Sequence, residues 1–167
     1  PIITLFDDDS PSLETLLIFI EYEPIDIFDD PFNIDCILKA PIATLKSLTT
    51  LLKKGGEIII EVPSSEDALL TLYKSDSFSK FTYWSQHLFL FNQQTITELV
   101  KKADLKLNWV QQVQRYGLSN HLYWLTNHLP GGQKKWSFLN SNILDEIYAS
   151  HLAAIGKCDT IMASISI

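Results

Sequence analysis

The stretch LLKKGGEIIIEVPSS, residues 51–65, decides how the fold is interpreted. Before it, Pro41 is a favourable first-turn residue, and apolar residues follow at helical spacing (Ile42, Leu45, Leu48, Leu52). This pattern predicts a helix that Gly55 ends in a left-handed conformation. The run EIIIEV, residues 57–62, predicts a strand, and three consecutive isoleucines are typical of a strand buried on both faces of a parallel sheet.

The rest of the chain alternates between predicted strands and helices, which favours a single α/β domain over residues 1–167 with a mostly parallel sheet. Apolar runs predict strands at 13–22, 32–38 and 105–114, and helical spacing predicts helices at 64–73, 92–103, 121–129 and 142–155. We expect Asn92 and Asn142 to cap their helices. In the tail CDTIMASISI, residues 158–167, the alternation predicts a half-buried strand at a sheet edge or in an antiparallel position.

Composition narrows the classes of partner. The 167 residues are 46% hydrophobic with a net charge of -7, and the only basic clusters are three lysine pairs, so we expect no nucleic-acid partner. Cys36 and Cys158 are too far apart for a disulfide framework or a metal-ligand motif, which favours a reducing cytoplasm and predicts no metal site. The longest apolar run, Leu16–Ile20, is too short for a membrane span.

The order of these segments resembles the class I S-adenosylmethionine-dependent methyltransferases. A helix followed by LLKKGGEIIIEVPS is similar to their fourth helix and fifth strand, with Lys54 where the family usually has proline. Residues 86–105, QHLFLFNQQTITELVKKADL, resemble the family's H-L-x-x-F-[NST] segment and the helix after it. The blocks QRYGLSNHLYWL (114–125), PGGQKKW (130–136) and IGKCDTIMA (155–163) look like one bacterial branch of these enzymes.

This resemblance covers roughly residues 20–167 and implies a Rossmann-like methyltransferase sandwich whose last strand is inserted antiparallel. It also implies methyl transfer from S-adenosylmethionine to a small-molecule or saccharide-like acceptor. The alternative is a non-catalytic binding or assembly module that kept the fold and lost the cofactor loop.

The cofactor half of the family pattern, here residues 1–40, is incomplete. The glycine-rich loop [DE]-x-G-x-G-x-G is absent, because none of the six glycines forms G-x-G and none precedes Gly55. Glu23 in IEYEP matches the acidic residue that bonds the ribose hydroxyls, although an ordinary surface glutamate is an equal alternative. Asp29 and Asp30 could lie near the adenine, but a solvated acidic turn is the preferred interpretation.

The spacing in this half is also too short for the family. Only eight residues separate Glu23 from Phe32, whereas a βαβ crossover needs about a dozen or more. Two explanations compete: the sequence omits segments of the natural protein, or the chain is a genuinely shortened, cofactor-free relative. The first is favoured because the remaining segments run in family order.

Two histidines are candidates for general-base catalysis, since the histidine pKa lies near neutrality. His87 lies in a region that loosely resembles sugar C-methyltransferases, where a histidine acts as base; a purely structural histidine is the alternative. In QRYGLSNH, Tyr116 and Asn120 are candidates for substrate binding, and His121 could deprotonate the acceptor. The alternative for this segment is a capping Ser119–Asn120 turn beside a packed histidine.

Overall fold

A computed structural model describes residues 2–5, 13–19, 40–83 and 89–167 of the chain. These residues form a mixed α/β structure, which confirms the predicted class. Contacts divide the chain into two compact units. We call Pro1–Val62, Gln93–Gln111 and Met162–Ile167 the sheet unit, and Pro63–Asn92 and Gln112–Ile161 the helical unit. The predicted strand at 32–38 lies outside the described residues.

The elements follow the predicted order closely. The strands are β1 (Ile2–Leu5), β2 (Leu13–Phe19), β3 (Leu52–Pro63), β4 (Lys106–Val113) and β5 (Thr160–Ser166). The helices are α1 (Pro41–Thr49), α2 (Ala68–Thr71), α3 (Asp76–Thr82), α4 (Gln93–Lys102), α5 (Leu118–Asn127), α6 (Gly132–Lys135) and α7 (Asn142–Ala154), with a 3-10 turn at Ser137–Leu139.

The five described strands form one sheet in the order β1-β2-β3-β5-β4. Strand β1 pairs antiparallel with β2, and β2 pairs parallel with β3, with Leu16 opposite Ile58. The side chains of Ile58 and Ile60 are buried, as expected for a strand inside the sheet.

Gly55 does not end the preceding helix, so that prediction is wrong. Helix α1 ends at Thr49, and Thr50 still has the right-handed conformation with φ −67°. Gly55 has the expected positive φ of 83°, but it lies inside β3. There the pairing with β2 shifts register between Leu52 and Glu57. The KKGG segment is therefore a bulge that interrupts the strand, a position where glycine tolerates the left-handed backbone.

The last strand is buried more completely than its alternating sequence predicts. Strand β5 lies between β3 and β4 in the sheet, and Ile161, Ala163 and Ile165 are fully buried. The intervening Ser164 is buried as well, where it donates a hydrogen bond to Glu57 and accepts one from Asn108. The strand is therefore neither half-buried nor at a sheet edge, because β3 and β4 flank it and supply partners for its polar residues. The alternative expectation, an antiparallel position, stays a prediction.

Helix α4 contributes the predicted apolar stripe to the sheet unit. Ile96, Val100 and Ala103 are buried, while the opposite face is exposed, as expected for an amphipathic surface helix. The helix packs beside α1, and Lys46 forms an ion pair with Asp104 at 3.1 Å. Both partners are largely exposed, so this pair contributes little stability.

The helical unit is built around aromatic and aliphatic contacts. Leu69, Phe78 and Trp124 form one buried cluster, with the Phe78 and Trp124 rings edge to face at 5.2 Å. The N-cap of α7 lies one residue earlier than predicted: Ser141, not Asn142, is the N-cap and accepts from the Leu144 N–H. Within the ranges described, no helix is long and apolar enough to cross a membrane.

Candidate functional site

Asp159 organises the polar interior of the helical unit. It directly precedes β5, and its carboxylate accepts the N–H groups of Arg115 at 3.0 Å and Tyr116 at 3.0 Å. The Gln114 side chain donates a third hydrogen bond, from Nε2 to Oδ2 at 2.8 Å. Burial raises the pKa of Asp159, while the two backbone N–H donors oppose that rise. Three hydrogen-bond donors from the residues that follow β4 therefore hold the carboxylate in place.

The side-chain amide of Gln114 has one orientation that satisfies its neighbours. The Asp159 N–H donates to Oε1 at 3.1 Å, while Nε2 donates to the Asp159 carboxylate and to the Tyr116 carbonyl, both at 2.8 Å. Reversing the amide would place its oxygen against two acceptors. Asp159 therefore determines that the Nε2 end of the Gln114 amide faces His121.

His121 is only 1% exposed, and both of its ring nitrogens have partners. Nε2 lies 3.2 Å from Gln114 Nε2, and Nδ1 lies 2.7 Å from the Tyr148 hydroxyl. The two hydrogens of Gln114 Nε2 are directed to Asp159 and Tyr116, and an amide nitrogen cannot accept a hydrogen bond. A proton on His121 Nε2 would therefore face no acceptor, so we place the ring proton on Nδ1, where the Tyr148 oxygen can accept it. Burial lowers the pKa of His121 to about 4, so the ring is neutral at pH 7.

Two tyrosine hydroxyls continue this series towards the surface. Since His121 Nδ1–H donates to the Tyr148 oxygen, the Tyr148 hydroxyl hydrogen needs another partner, and we assign it to the Tyr73 oxygen, which lies 3.2 Å away. Burial, followed by the hydrogen bond with Tyr73, raises the pKa of Tyr148, so the hydroxyl keeps its proton. Tyr73 is 42% exposed. We call His121, Tyr148 and Tyr73 the donor chain, because His121 donates to Tyr148 and Tyr148 donates to Tyr73.

A second buried carboxyl, Asp67, lies near enough to interact with Asp159. Asp67 is the N-cap of α2, accepts the Leu69 N–H at 2.6 Å and is 3% exposed. Burial, and then the charge of Asp159, raise its pKa to about 7. Among the described residues, no second donor is bonded to this carboxyl. Asp67 therefore exchanges a proton close to neutral pH, which is the property a general acid or base requires.

Cys158, beside this pair of carboxyls, is not a nucleophile. Its side chain is fully buried against Ala68 and Leu152. Burial first, and then the charges of Asp159 and Asp67, raise the pKa of the thiol to about 11. The reactive form of cysteine is the thiolate, so this thiol is inert at neutral pH.

The predicted site residues are distributed unevenly. His121 lies inside the donor chain, and Tyr116 joins the same cluster through its backbone N–H and carbonyl. Asn120 is buried on α5 where Gly132 packs against its Cα. Their proposed roles in catalysis and substrate binding stay predictions. The remaining candidates, His87, Glu23, Asp29 and Asp30, lie outside the described residues.

Sequence reasoning missed Asp67, Asp159, Gln114 and Tyr148. A usable signal existed for Gln114 and Asp159, because each lies at one end of a predicted strand, whereas Asp67 lies inside the helix predicted at 64–73. In α/β folds the ends of strands are where ligands bind. No comparable signal existed for Tyr148, which lies in the middle of a helix.

The glycines in the described residues do not form a cradle for the methionine part of S-adenosylmethionine. A Cβ added at Gly117 would meet the Asp145 side chain, and one added at Gly132 would meet Asn120 and Tyr123. These glycines allow close packing within the protein itself. The predicted ribose and adenine contacts lie outside the described residues. In the described ranges, no group of three or more histidine, cysteine, aspartate or glutamate side chains could hold a metal ion.

Comparison with known proteins agrees with the resemblance seen in the sequence. A family model described as "Methyltransferase domain" matches residues 35–110. This range contains α1, β3, Asp67 and α4, and it ends inside β4. No curated protein matches the chain at a significant level. Over residues 35–110 the chain matches a methyltransferase domain, and its resemblance to the class I S-adenosylmethionine-dependent methyltransferases is confirmed.

Proposed function

We propose that this protein transfers a methyl group from S-adenosylmethionine to a small-molecule, saccharide-like acceptor. The observation that carries the proposal is the match of residues 35–110 to a methyltransferase domain. S-adenosylmethionine supplies an electrophilic methyl group that is already activated as a sulfonium. What the protein must add is orientation of the acceptor and removal of its proton.

The sheet supports a Rossmann-like methyltransferase sandwich. Strand β5 lies between β3 and β4, the place that the family gives to its last strand. Glu57 near the start of β3 bonds Ser164 near the end of β5, whereas the Ser64 N–H after β3 donates to Asp159 before β5 at 2.8 Å. These contacts are those of strands that run in opposite directions. They support the antiparallel insertion of the last strand.

Asp67 is our candidate for the proton acceptor on the acceptor side of the reaction. Its pKa of about 7 gives it a large unprotonated fraction at neutral pH, together with enough basicity to take a proton. The neutral form that results is favoured by the same burial that raises the pKa. When Asp67 accepts the proton, the free-energy cost of keeping a buried negative charge is therefore removed.

The donor chain is our candidate for binding an oxygen atom of the acceptor. It is polarised in one direction, from the His121 Nδ1–H through Tyr148 to the Tyr73 hydroxyl. Its outer end therefore presents a hydroxyl that can donate to an ether, hydroxyl or carbonyl oxygen. His121 acts in this proposal by orienting Tyr148, since its Nδ1 already carries a proton. This role differs from the direct deprotonation that the sequence alone suggested.

A non-catalytic binding or assembly module is the second candidate function. The observation that favours it is the absence of any G-x-G pattern from the whole sequence. In both cases we place the protein in the cytoplasm, where its buried thiol Cys158 would stay reduced.

Transfer of an isotopically labelled methyl group tests this proposal. The full natural protein is incubated with labelled S-adenosylmethionine and a low-molecular-mass cell extract. We expect label to appear in the small-molecule fraction, with less label for the Asp67→Asn variant. If the label stays on S-adenosylmethionine throughout, the result would contradict methyl transfer and favour the non-catalytic binding module.

A further inference from the structure

We propose that the exposed face of helix α7 is a dimer interface, on which a second copy of this chain packs its own α7 in the antiparallel direction. On this face Ile143 is 72% exposed and Ile147 is 64% exposed, although both side chains are large and apolar. Ser150 and Ala154 continue the face and are exposed as well. We call these four residues the outer stripe. Exposed apolar surface of this kind marks interaction sites, and the proposal is independent of methyl transfer.

The outer stripe lies opposite the face of α7 that packs inward. That inner face is marked by Leu152, which is buried in a cluster with Ala68 and Cys158. A helix turns by about 100° per residue, so each member of the outer stripe lies roughly half a turn from Leu152. The members are spaced by four, three and four residues, which is the spacing of the contact seam between two packed helices. The stripe therefore has the pattern of a helix that packs on both faces.

Large and small residues of the outer stripe complement each other in an antiparallel pair. With a twofold axis halfway along the stripe, Ile147 of one copy lies opposite Ser150 of the other, and Ile143 lies opposite Ala154. Each isoleucine then meets a small residue, which allows the two helices to approach closely. In a parallel pair, isoleucine would meet isoleucine at one end and small residues would leave a gap at the other. The stripe therefore fits itself in the antiparallel direction, as a twofold interface requires.

The charges of α7 also favour the antiparallel direction. The acidic residues Asp145 and Glu146 lie near the start of the helix, and His151 lies in its last turn. In an antiparallel pair, the acidic start of each helix lies beside the end of the other helix, where the dipole is negative and the histidine can carry a positive charge. The two helix dipoles also run in opposite directions, which is favourable for neighbours. The outer stripe itself carries no charge, although the net charge of the chain is -7.

The size of the face indicates a weak dimer. Helix α7 has 13 residues and is about 20 Å long, so two such helices bury less than the roughly 800 Å² per partner that is typical of stable interfaces. Phe138, before the helix, and Ile155, after it, are also exposed. In an antiparallel pair, Phe138 of one copy and Ile155 of the other lie at the same end and enlarge the contact. We therefore expect a dissociation constant in the micromolar range.

Sedimentation velocity of the full natural protein across the micromolar range tests the dimer. We expect the mass to rise from that of one chain to that of two as the concentration increases. The Ile147→Glu variant places two carboxylates close to the twofold axis, where neither has a partner of opposite charge. This change should weaken dimerisation about tenfold or more, because burying unpaired like charges is costly.

The matched control is Ile167→Glu, which makes the same change at an exposed isoleucine of the sheet unit. It should dimerise as the unmodified protein does. Should Ile147→Glu fail to fold, Ile147→Ser removes only the apolar contact and should still weaken dimerisation. The proposal is overturned if the natural protein stays monomeric throughout the range. It is also overturned if the control weakens dimerisation as much as the change at Ile147.

Cross-linking of introduced cysteines tests the direction of packing. Chains with Ile143→Cys, mixed with chains carrying Ala154→Cys, should form covalent dimers with a short thiol cross-linker, because the two positions face each other. Chains with Ile143→Cys alone should give only the background of the unmodified protein, since antiparallel packing separates the two copies of this residue by about 16 Å. A higher yield for Ile143→Cys alone than for the mixture would overturn the antiparallel pair.

Discussion

His121 Nδ1 lies 2.7 Å from the Tyr148 hydroxyl, and this contact sets the direction of the whole donor chain. On the other side of the ring, Nε2 lies 3.2 Å from the Gln114 amide nitrogen, which cannot accept a hydrogen bond, so the ring proton lies on Nδ1 and is donated to Tyr148. The histidine that sequence reasoning proposed as a base is therefore better suited to orienting the Tyr148 hydroxyl.

Nitrogen chemical shifts of the His121 ring test the assigned tautomer. We expect Nδ1 to be protonated, Nε2 to be unprotonated, and the ring to stay neutral down to about pH 5, because its pKa is lowered to about 4. In a Gln114→Glu variant, a carboxylate would face Nε2 and should favour the doubly protonated ring. A proton on Nε2 in the unmodified protein would contradict the donor chain.

Tyr148→Phe should destabilise the protein by about 1–3 kcal/mol, because it leaves the buried His121 Nδ1–H without its acceptor. The free energy of unfolding in urea measures the change. Tyr83→Phe is the matched control, since Tyr83 is 58% exposed and the same atom is removed from a surface side chain. Equal effects of the two substitutions would show that the Tyr148 hydroxyl contributes nothing specific.

Asp67→Asn should change how stability depends on pH between about 4 and 6.5. The folded-state pKa of Asp67, about 7, is above its ordinary 3.8, so its contribution is fully present below pH 3.8 and is lost as pH rises to 7. His121 has the opposite sign: its contribution is present above pH 6.5 and is lost as pH falls to about 4. The two slopes oppose each other in the unmodified protein.

Without Asp67, stability should therefore rise with pH through this window more steeply than in the unmodified protein. The difference approaches about 1.4 kcal/mol per pH unit, the value for one proton. Asparagine keeps the capping oxygen for the Leu69 N–H, so the fold should survive the change. The same change at Asp76, exposed at the start of α3, is the control and should leave the slope as it was. If stability depends on pH in the same way in the Asp67→Asn variant and the unmodified protein, the pKa of Asp67 is not raised by folding.

Asp67→Asn should also lower the rate of methyl transfer by about 10²–10⁴-fold, the usual contribution of a general base. The unmodified enzyme should gain activity as pH rises through about 7, when Asp67 becomes unprotonated, and the variant should lose this limb of the profile. Initial rates across pH measure both effects. If the Asp67→Asn variant still gains activity as pH rises through about 7, the proton acceptor is another group.

The order of elements could be predicted from the sequence because each signal is local. Pro41 opens α1, the isoleucines of 57–62 mark β3, and the apolar stripe of α4 is buried as its spacing predicts. The errors arose where the structure depends on how the strands pair and not on the local sequence. Gly55 has the conformation of a helix end, but register with β2 makes it part of a bulge. The alternating tail is an inner strand of the sheet and not an edge strand, because β3 and β4 flank it.

The candidate site was harder to predict because its members come from distant positions. Asp67, Gln114, Tyr148 and Asp159 share no sequence pattern, and only the fold of the helical unit brings them together. Their chemistry depends on burial, which composition and spacing do not report. A polar residue at a strand end is therefore worth considering as a site candidate even without a motif.

Calorimetric titration of the full natural protein with S-adenosylhomocysteine tests the central claim most directly. The ligand carries the ribose, adenine and amino-acid groups of the cofactor, so the experiment can be done without knowing the acceptor. We predict saturable binding of one molecule per chain by the folded protein. Folded protein that gives no binding heat at any temperature tested, with unchanged thermal stability, would contradict methyl transfer and leave the binding module as the function.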